Sequence, residues 1–132
     1  MKKVFVSYSY SKREDVRVLH EKIKRLMEDK FGLEVYAFVF DYNDTADDNK
    51  LMNDALSKVN ESDMLIVELS NKSVGVGIEA GYAKAKGKPI IYLHKQETEL
   101  KQTMNGIADE VVTYENTENL LEQLSTLKLL QS

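Results

Sequence analysis

Strand-like and helix-like patterns alternate along the whole chain, and this alternation restricts the possible folds more than any other feature. Residues 64–69 (MLIVEL) form a short, almost continuously apolar run, which is typical of a strand covered on both faces. Residues 15–30 instead carry apolar side chains at helical spacing, and Gly32 follows them as a helix cap. Such alternation favours a parallel sheet with helices packed on both of its faces.

The patterns predict five strands and four helices. The strands are predicted at 3–9, 34–40, 64–69, 89–93 and 110–114, and the helices at 15–30, 50–60, 73–86 and 118–130. Because crossovers between parallel strands are right-handed, we expect a flavodoxin-like three-layer α/β fold with strand order 2-1-3-4-5, as one domain over residues 1–132. Ligands bind such sheets at the carboxyl ends of the strands, beside the switch point. The loops that leave the first and third strands should therefore face each other across one crevice.

Composition argues against several classes of function. The 132 residues contain no cysteine and only two, widely separated histidines, so a thiolate or histidine-rich metal site is not expected. A net charge of −4 argues against a nucleic-acid partner. We find no apolar run of the ~18 residues that a membrane span needs and no signal peptide before the first strand. We therefore expect a cytoplasmic protein without a cofactor.

Two further features have ordinary structural explanations. The acidic loop at 41–48 (DYNDTADD) lacks the central glycine and the terminal glutamate of a calcium loop, so we interpret it as a solvated turn that caps a helix. His20 falls on a helix and His94 at a strand end, and both are expected to be structural.

The loop and helix that follow the third strand have features of an anion site. Ser73 is placed as a helix N-cap, and Gly75 and Gly77 would let a ligand approach the backbone N–H groups of the first turns. The alternative for the glycine pair is a close contact between helix and sheet. The loop after the first strand offers hydroxyls and a positive charge, from Ser7, Tyr8, Ser9 and Arg13.

Glu79 is the candidate catalytic group. It lies about one and a half turns into the same helix, whose positive end should keep it ionised at neutral pH. A carboxylate beside the anomeric carbon of a sugar acts as a nucleophile or stabilises an oxocarbenium ion. The alternative is a solvated glutamate favoured only by the helix dipole.

The run at 61–85, ESDMLIVELSNKSVGVGIEAGYAKA, resembles the central signature of the nucleoside 2-deoxyribosyltransferase superfamily, and most of all its 2′-deoxynucleoside 5′-monophosphate N-glycosidase branch. The residues that match this signature are Asp63, Ser73, Gly75, Gly77, Glu79 and Gly81. The loop at 103–109, TMNGIAD, resembles the methionine- and glycine-containing loop of the family, and Arg13-Glu14-Asp15 matches after the first strand.

The resemblance implies a nucleotide or nucleoside substrate whose N-glycosidic bond is broken without a metal. It implies that Glu79 acts at the anomeric centre and that Ser73 helps to hold the 5′-phosphate. It also implies a homodimer in which the loop at 101–106 reaches the site of the neighbour, so that Lys101 and Asn105 contact the ligand there. Hydrolysis and transfer of the sugar to a second nucleoside both remain open.

The chain departs from this family at two places. Ala55 stands where the family usually has a catalytic aspartate, and residues 7–10 are Ser-Tyr-Ser-Tyr where it has a glycine-serine-isoleucine-arginine run. Residues 3–15 (KVFVSYSYSKRED) also resemble the opening of TIR domains, some of which cleave NAD. Two alternatives to a nucleotide N-glycosidase therefore stay open, namely a TIR-like domain that cleaves NAD or acts in signalling, and a nucleotide-binding module that has lost catalysis.

Overall fold

A computed structural model describes residues 1–131 of the protein. The five strands are β1 (Lys3–Tyr8), β2 (Glu34–Tyr36), β3 (Met64–Glu68), β4 (Ile90–Lys95) and β5 (Glu110–Tyr114). The six helices are α1 (Arg17–Phe31), α2 (Phe38–Asp41), α3 (Asp48–Glu61), α4 (Val74–Ala85), α5 (Gln102–Ile107) and α6 (Thr117–Ser125). None of these helices is long and apolar enough to cross a membrane.

The strands form one sheet in the order β2-β1-β3-β4-β5, and every neighbouring pair is parallel. The predicted flavodoxin-like order is thereby confirmed. Ser7 of β1 lies opposite Val67 of β3, so the carboxyl ends of these two strands are adjacent at the switch point. This geometry places the loops after β1 and β3 side by side.

Each face of the sheet carries its own apolar core. Val4 and Val6 of β1 pack with the cluster that includes buried residues of α1 and α6, whereas Phe5 packs with the cluster of α3 and α4. Because side chains alternate along a strand, Ser7 lies on the same face as Phe5. Ser7 is only 2% exposed, so β1 carries a buried hydroxyl toward the layer that contains α4.

The predicted second strand at 34–40 is wrong in its second half, where the chain forms α2 instead. The backbone N–H groups of Ala37 and Asp41 each make a 2.8 Å hydrogen bond across this turn, the first to the Asp41 carboxylate and the second to the Ala37 carbonyl. These local bonds outweigh the strand preference of Phe38–Phe40, since β propensity depends strongly on context.

Helix boundaries differ from the predictions at three places. Residues 10–16 form a 3-10 turn, so that α1 begins at Arg17 rather than at residue 15. The short helix α5 was not predicted. The closing helix ends at Ser125 and is followed by a second 3-10 turn, Lys128–Gln131. The predicted cap at Gly32 is confirmed by its φ of 64°, and Gly87, with a φ of 73°, follows the end of α4 in the same left-handed conformation.

Candidate active site

A cavity of about 390 Å³ opens where the carboxyl ends of β1 and β3 meet. It is lined by four segments, the loop after β1, α2 with the loop that follows it, α3, and the first turns of α4. The lining residues are Tyr8, Tyr10, Arg13, Phe38, Val39, Tyr42, Asp44, Leu51, Met52, Ala55, Ser73, Gly75 and Glu79. The prediction that the loops after the first and third strands share one crevice is confirmed.

Glu79 reaches the cavity from the second turn of α4, and Ser7 of β1 holds its carboxylate by a hydrogen bond. The Ser7 hydroxyl donates a short hydrogen bond of 2.5 Å to Oε1 of Glu79. Since the serine is buried on the sheet and the glutamate is only partly exposed, this bond lies mostly away from solvent. Ser7, a predicted substrate-binding residue, is hydrogen-bonded to the candidate catalytic carboxylate.

The expectation that Glu79 is ionised at neutral pH holds only in part. Burial raises the pKa of the Glu79 carboxyl from 4.5 to about 7, and the hydrogen bond from Ser7 only partly opposes that rise. Desolvation disfavours the charged form of a carboxyl group, and burial is the larger of the two causes here. Glu79 is therefore poised to exchange a proton near neutral pH, as is common for groups that take part in catalysis.

The start of α4 has the predicted cap. The Ser73 hydroxyl accepts a 3.3 Å hydrogen bond from the Val76 N–H, and the Ser73 backbone is extended, as an N-cap requires. Gly75 lies in the first turn, where N–H groups have no acceptor within the helix, and it lines the cavity. The Gly77 N–H is instead used inside the helix, since it donates to the Ser73 carbonyl at 3.2 Å.

Neither glycine is explained by packing. A Cβ atom built on Gly77 meets no atom within 4 Å, and one built on Gly75 meets only the Ser73 hydroxyl, at 4.0 Å. The alternative of a close contact between helix and sheet is therefore wrong for both positions. The space beside Gly75 belongs to the cavity, whereas Gly77 is exposed and does not line it.

The loop after β1 brings a cation to the cavity. The Arg13 guanidinium lies 3.8 Å from the centre of the Tyr10 ring and donates a 2.8 Å hydrogen bond to the Tyr10 carbonyl. Arg13 is thus held by its own 3-10 turn rather than by a carboxylate. Together with the start of α4, it makes one part of the cavity suited to an anion.

The rest of the lining is aromatic or apolar and was not predicted as part of the site. The Phe38 and Tyr42 rings stack with centroids 4.2 Å apart, and Leu51, Met52 and Ala55 contribute the side chains of α3. The sequence signal for this surface was obscured because residues 38–40 were assigned to a strand. A flat aromatic pair beside apolar side chains is suited to binding a planar ring.

Charged groups of α3 and the loop before it form a network at the rim of the cavity. Lys50 lies 2.7 Å from carboxylate oxygens of both Asp44 and Asp54, and the Tyr42 hydroxyl donates to Asp54 at 2.7 Å. Asp47 caps α3 by accepting from the Lys50 N–H at 2.8 Å, which confirms the predicted capping role of the acidic loop. Within residues 1–131, no three carboxylates or histidines are grouped as a metal site would require.

Several predicted binding residues lie outside the cavity. Ser9 is buried, with its hydroxyl 3.3 Å from that of Ser11. Lys101 donates its backbone N–H to the Tyr92 hydroxyl at 2.9 Å, and Asn105 lies exposed on α5. A role for Lys101 and Asn105 in the site of a neighbouring subunit stays a prediction.

Both histidines lie in structural settings. His20 is buried, accepts or donates a 2.8 Å hydrogen bond with the Tyr8 hydroxyl and stacks on Phe40, and burial lowers its pKa to about 4. His94 is also buried, and its two ring nitrogens bond to the hydroxyls of Thr98 and Thr113. Neither imidazole lines the cavity.

Comparison with known protein families identifies this arrangement. Residues 7–123 match the family described as nucleoside 2-deoxyribosyltransferase. The chain belongs to this family. The match includes β1 from Ser7 onward, all four segments that line the cavity and both residues of the Ser7–Glu79 hydrogen bond. The resemblance inferred from the signature at 61–85 is therefore confirmed.

Two curated relatives are both described as "Putative 2'-deoxynucleoside 5'-phosphate N-hydrolase 1". The protein of Thermofilum pendens is 33% identical over 72 residues, which cover 51% of this chain and 50% of the relative. The protein of Syntrophotalea carbinolica is 31% identical over 70 residues, which cover 53% of this chain and 49% of the relative. The chain thus spans about half the length of the curated relatives it matches.

Solved structures share the fold over nearly the full chain. A CMP N-glycosidase of Clostridium botulinum superposes with a TM-score of 0.72 at 23% identity, covering 93% of this chain and 98% of the other. A 2-deoxyribosyltransferase of Bacillus psychrosaccharolyticus gives 0.69 at 12% identity, covering 90% of each. These similarities support the three-layer α/β fold and lend no support to the TIR interpretation of residues 3–15.

Proposed function

We propose that this domain cleaves the N-glycosidic bond of a nucleoside 5′-monophosphate, with Glu79 as nucleophile or as the group that stabilises the oxocarbenium ion. The observation that carries the proposal is the Glu79 carboxylate, which lines the cavity and is held by the buried Ser7 hydroxyl. The membership in the nucleoside 2-deoxyribosyltransferase family supports it, as do the activities for which the relatives are named.

Two groups of lining residues suit the two parts of such a substrate. Ser73, Gly75 and Arg13 offer a helix N-terminus and a guanidinium for the 5′-phosphate. Phe38 and Tyr42 offer a stacked aromatic surface for the base. A volume of about 390 Å³ falls in the range of roughly 300–1,000 Å³ that is usual for small-molecule sites.

Glu79 must be ionised to act on the anomeric carbon. Its carboxylate attacks that carbon or lies against it while the bond to the base breaks, and the positive charge that develops on the sugar is then opposed by the carboxylate. Ser7 orients the carboxylate through Oε1 and leaves Oε2 free for the sugar. Water or a second nucleoside completes the reaction by taking the pentose.

The experiment is an incubation of the protein with ribo- and deoxynucleoside 5′-monophosphates, the matching nucleosides and NAD, with the released base separated by chromatography. We expect release from monophosphates, at least tenfold weaker release from nucleosides, and a loss of at least about 10³-fold in Glu79→Gln. Glu21→Gln is the matched control, because Glu21 is an exposed glutamate of α1 that does not line the cavity.

The outcomes separate the remaining alternatives. Release of nicotinamide from NAD in preference to release from every monophosphate would favour a TIR-like activity. Thermal stabilisation by nucleotides without release from any of them would indicate a binding module that has lost catalysis. Equal release by the wild-type protein and by Glu79→Gln would refute the role proposed for Glu79.

The resemblance also supports a homodimer, which we propose as the active form. In this arrangement α5 and the residue before it, Lys101, lie next to the cavity of the partner subunit.

A further inference from the structure

The proposed reaction requires a proton at the departing base, unless that base is already positively charged. When the bond from C1′ to the nitrogen of a neutral base breaks, its electron pair stays on that nitrogen, and a general acid that protonates the base contributes about 10²–10⁴-fold to the rate. A pyridinium base needs no such acid, because the electron pair neutralises its ring. The proton donors that line the cavity therefore bear on the kind of substrate it takes.

The carboxyl and phenol groups at the rim are poorly suited to give up a proton. The hydrogen bond from Lys50 lowers the pKa of the Asp44 carboxyl, so Asp44 is ionised. The Tyr42 hydroxyl donates its only proton to a hydrogen bond with Asp54, and this bond raises the pKa of the Tyr42 phenol. Burial raises the pKa of the Tyr8 phenol, whose hydroxyl is bonded to His20.

The other polar groups of the lining do not fill this role. The Arg13 guanidinium keeps its protons at any working pH. The Ser73 hydroxyl caps α4 by accepting from the Val76 N–H, and as an aliphatic alcohol it is too weak an acid to protonate a leaving base. The Tyr10 side chain is 64% exposed, and its ring lies against the Arg13 guanidinium. Tyr10 therefore belongs to the part of the cavity proposed for the phosphate, not for the base. Glu79 has to be ionised to act on the anomeric carbon, so it cannot also hold the proton for the base. On α3 the lining carries Ala55, whose side chain is only a methyl group.

The same rim is well suited to a cationic ring. The Asp44 carboxylate can only accept hydrogen bonds, and the Tyr42 oxygen, having donated to Asp54, offers lone pairs to the cavity. The stacked rings of Phe38 and Tyr42 present a π surface that attracts a cation.

Resting on the function proposed above, we infer that the preferred substrate of this site is a pyridinium nucleoside 5′-monophosphate, whose base leaves as a neutral molecule. In the reaction, the bond from C1′ to the ring nitrogen breaks and its electron pair neutralises the pyridinium. Glu79 stabilises or bonds the sugar cation, and water then adds at C1′ and releases one proton. The products are the neutral pyridine base, a pentose 5-phosphate and a proton.

The test compares nicotinamide mononucleotide with CMP and AMP as substrates of the wild-type, Ala55→Asp and Ala55→Asn proteins. Each kcat is divided by the rate of spontaneous hydrolysis of that substrate, because pyridinium nucleosides are intrinsically labile. We expect the enhancement by the wild-type protein to be at least about 10²-fold larger for nicotinamide mononucleotide. Ala55→Asp adds a carboxyl group to the cavity lining. It should reduce the ratio of the enhancement for nicotinamide mononucleotide to that for CMP or AMP at least tenfold. Ala55→Asn, which adds no acid, should leave this ratio unchanged.

Asp44→Asn keeps the inference testable if substitutions at the buried Ala55 prevent folding, because Asp44 is exposed. We expect it to raise KM for nicotinamide mononucleotide several-fold more than KM for CMP. Glu79-dependent release that is enhanced equally for all three substrates, with Asp44→Asn affecting each alike, would overturn this inference and leave the proposed function standing. Absence of Glu79-dependent release from any substrate would overturn both.

Discussion

At the scale of single residues, the hydrogen bond from Ser7 of β1 to Glu79 joins the sheet to the candidate catalytic group. Glu79 has its pKa raised to about 7 mainly by burial, and it is ionised only above that pH. If the ionised form acts on the sugar, as proposed, base release should rise with pH through about 7 and then level off. The pH profile of kcat/KM measures this inflection.

The substitution Ser7→Ala sharpens that prediction. The hydrogen bond from Ser7 lowers the pKa of Glu79, so its loss should move the inflection of the profile to higher pH and reduce release at pH 7. Ser11→Ala, on an exposed serine of the next turn, is the control. An inflection that stays in place in Ser7→Ala would show that the profile reports another group.

The raised pKa of Glu79 also affects stability, with a definite sign. Between pH 4.5 and about 7 the unfolded chain loses this proton while the folded protein retains it, so ionisation favours unfolding increasingly over that window. Glu79→Gln cannot ionise. We therefore expect Glu79→Gln to raise the melting temperature relative to wild type at pH 8 and to have little effect at pH 4.5. The increase in the free energy of unfolding at pH 8 should be at most about 3 kcal/mol.

Thermal unfolding at both pH values measures this difference. A variant that is equally destabilised at pH 4.5 and pH 8 would contradict the raised pKa, since the effect would then come from packing alone.

Sequence reasoning placed Glu79 and Ser73 in the crevice, where both line the cavity, but it did not predict the raised pKa of Glu79. The cap follows from local geometry, because Ser73 bonds to an N–H three residues ahead. The pKa instead depends on how deeply α4 sets its side chain against the sheet, which only the assembled layers determine. The part-buried hydrogen bond from Ser7 to Glu79 spans 72 positions of sequence, so no local pattern could predict it.

At the scale of elements, the two glycines of α4 differ in what they contribute. Replacement of Gly77 by alanine should stabilise the protein by about 0.8–1 kcal/mol, because it adds helix propensity and its Cβ meets no atom within 4 Å. Gly75→Ala has similar room but places a methyl group in the lining of the cavity.

We expect only Gly75→Ala to weaken the binding of a nucleoside monophosphate, by about tenfold or more, while the affinity for the unphosphorylated nucleoside changes less. Calorimetric titration and thermal unfolding of the two variants measure these effects. Equal weakening by both substitutions would show that α4 reaches the ligand further along than the first turn.

The elements that sequence reasoning missed are those decided by local bonding or by tertiary contacts. Helix α2 interrupts an apparently continuous strand because Asp41 bonds back to the Ala37 N–H. Because residues 38–40 were predicted as part of a strand, the stacked Phe38 and Tyr42 rings were not predicted to line the cavity. The predicted long closing helix stops at Ser125, and the 3-10 turn after it buries Leu130 against the sheet.

At the scale of the whole molecule, the topology was predictable and one side of the site was not. The alternation of buried strands with amphipathic helices leads to the observed order β2-β1-β3-β4-β5 through general rules on crossovers. The same rules locate the crevice. They do not reveal which side chains of α3 face it, because α3 is placed by its packing on α4.

The proposed dimer belongs to this scale as well. We expect a mass of about twice 15.1 kDa by light scattering. If α5 and Lys101 complete the site of the neighbouring subunit, Lys101→Ala should reduce base release. A mixture of the Lys101→Ala and Glu79→Gln proteins should regain part of the activity, because each mixed dimer has one site with both wild-type residues. A monomeric and fully active protein would contradict this arrangement.

The most direct test of the central claim is chemical rescue of Glu79→Ala by azide. If the carboxylate acts at the anomeric carbon, Glu79→Ala should lose at least about 10³-fold in base release. Azide, which fits the space left by the carboxylate, should then restore part of the release and yield a pentosyl azide 5-phosphate, which mass spectrometry detects. Release by Glu79→Ala at the wild-type rate, with no azide adduct, would contradict the account.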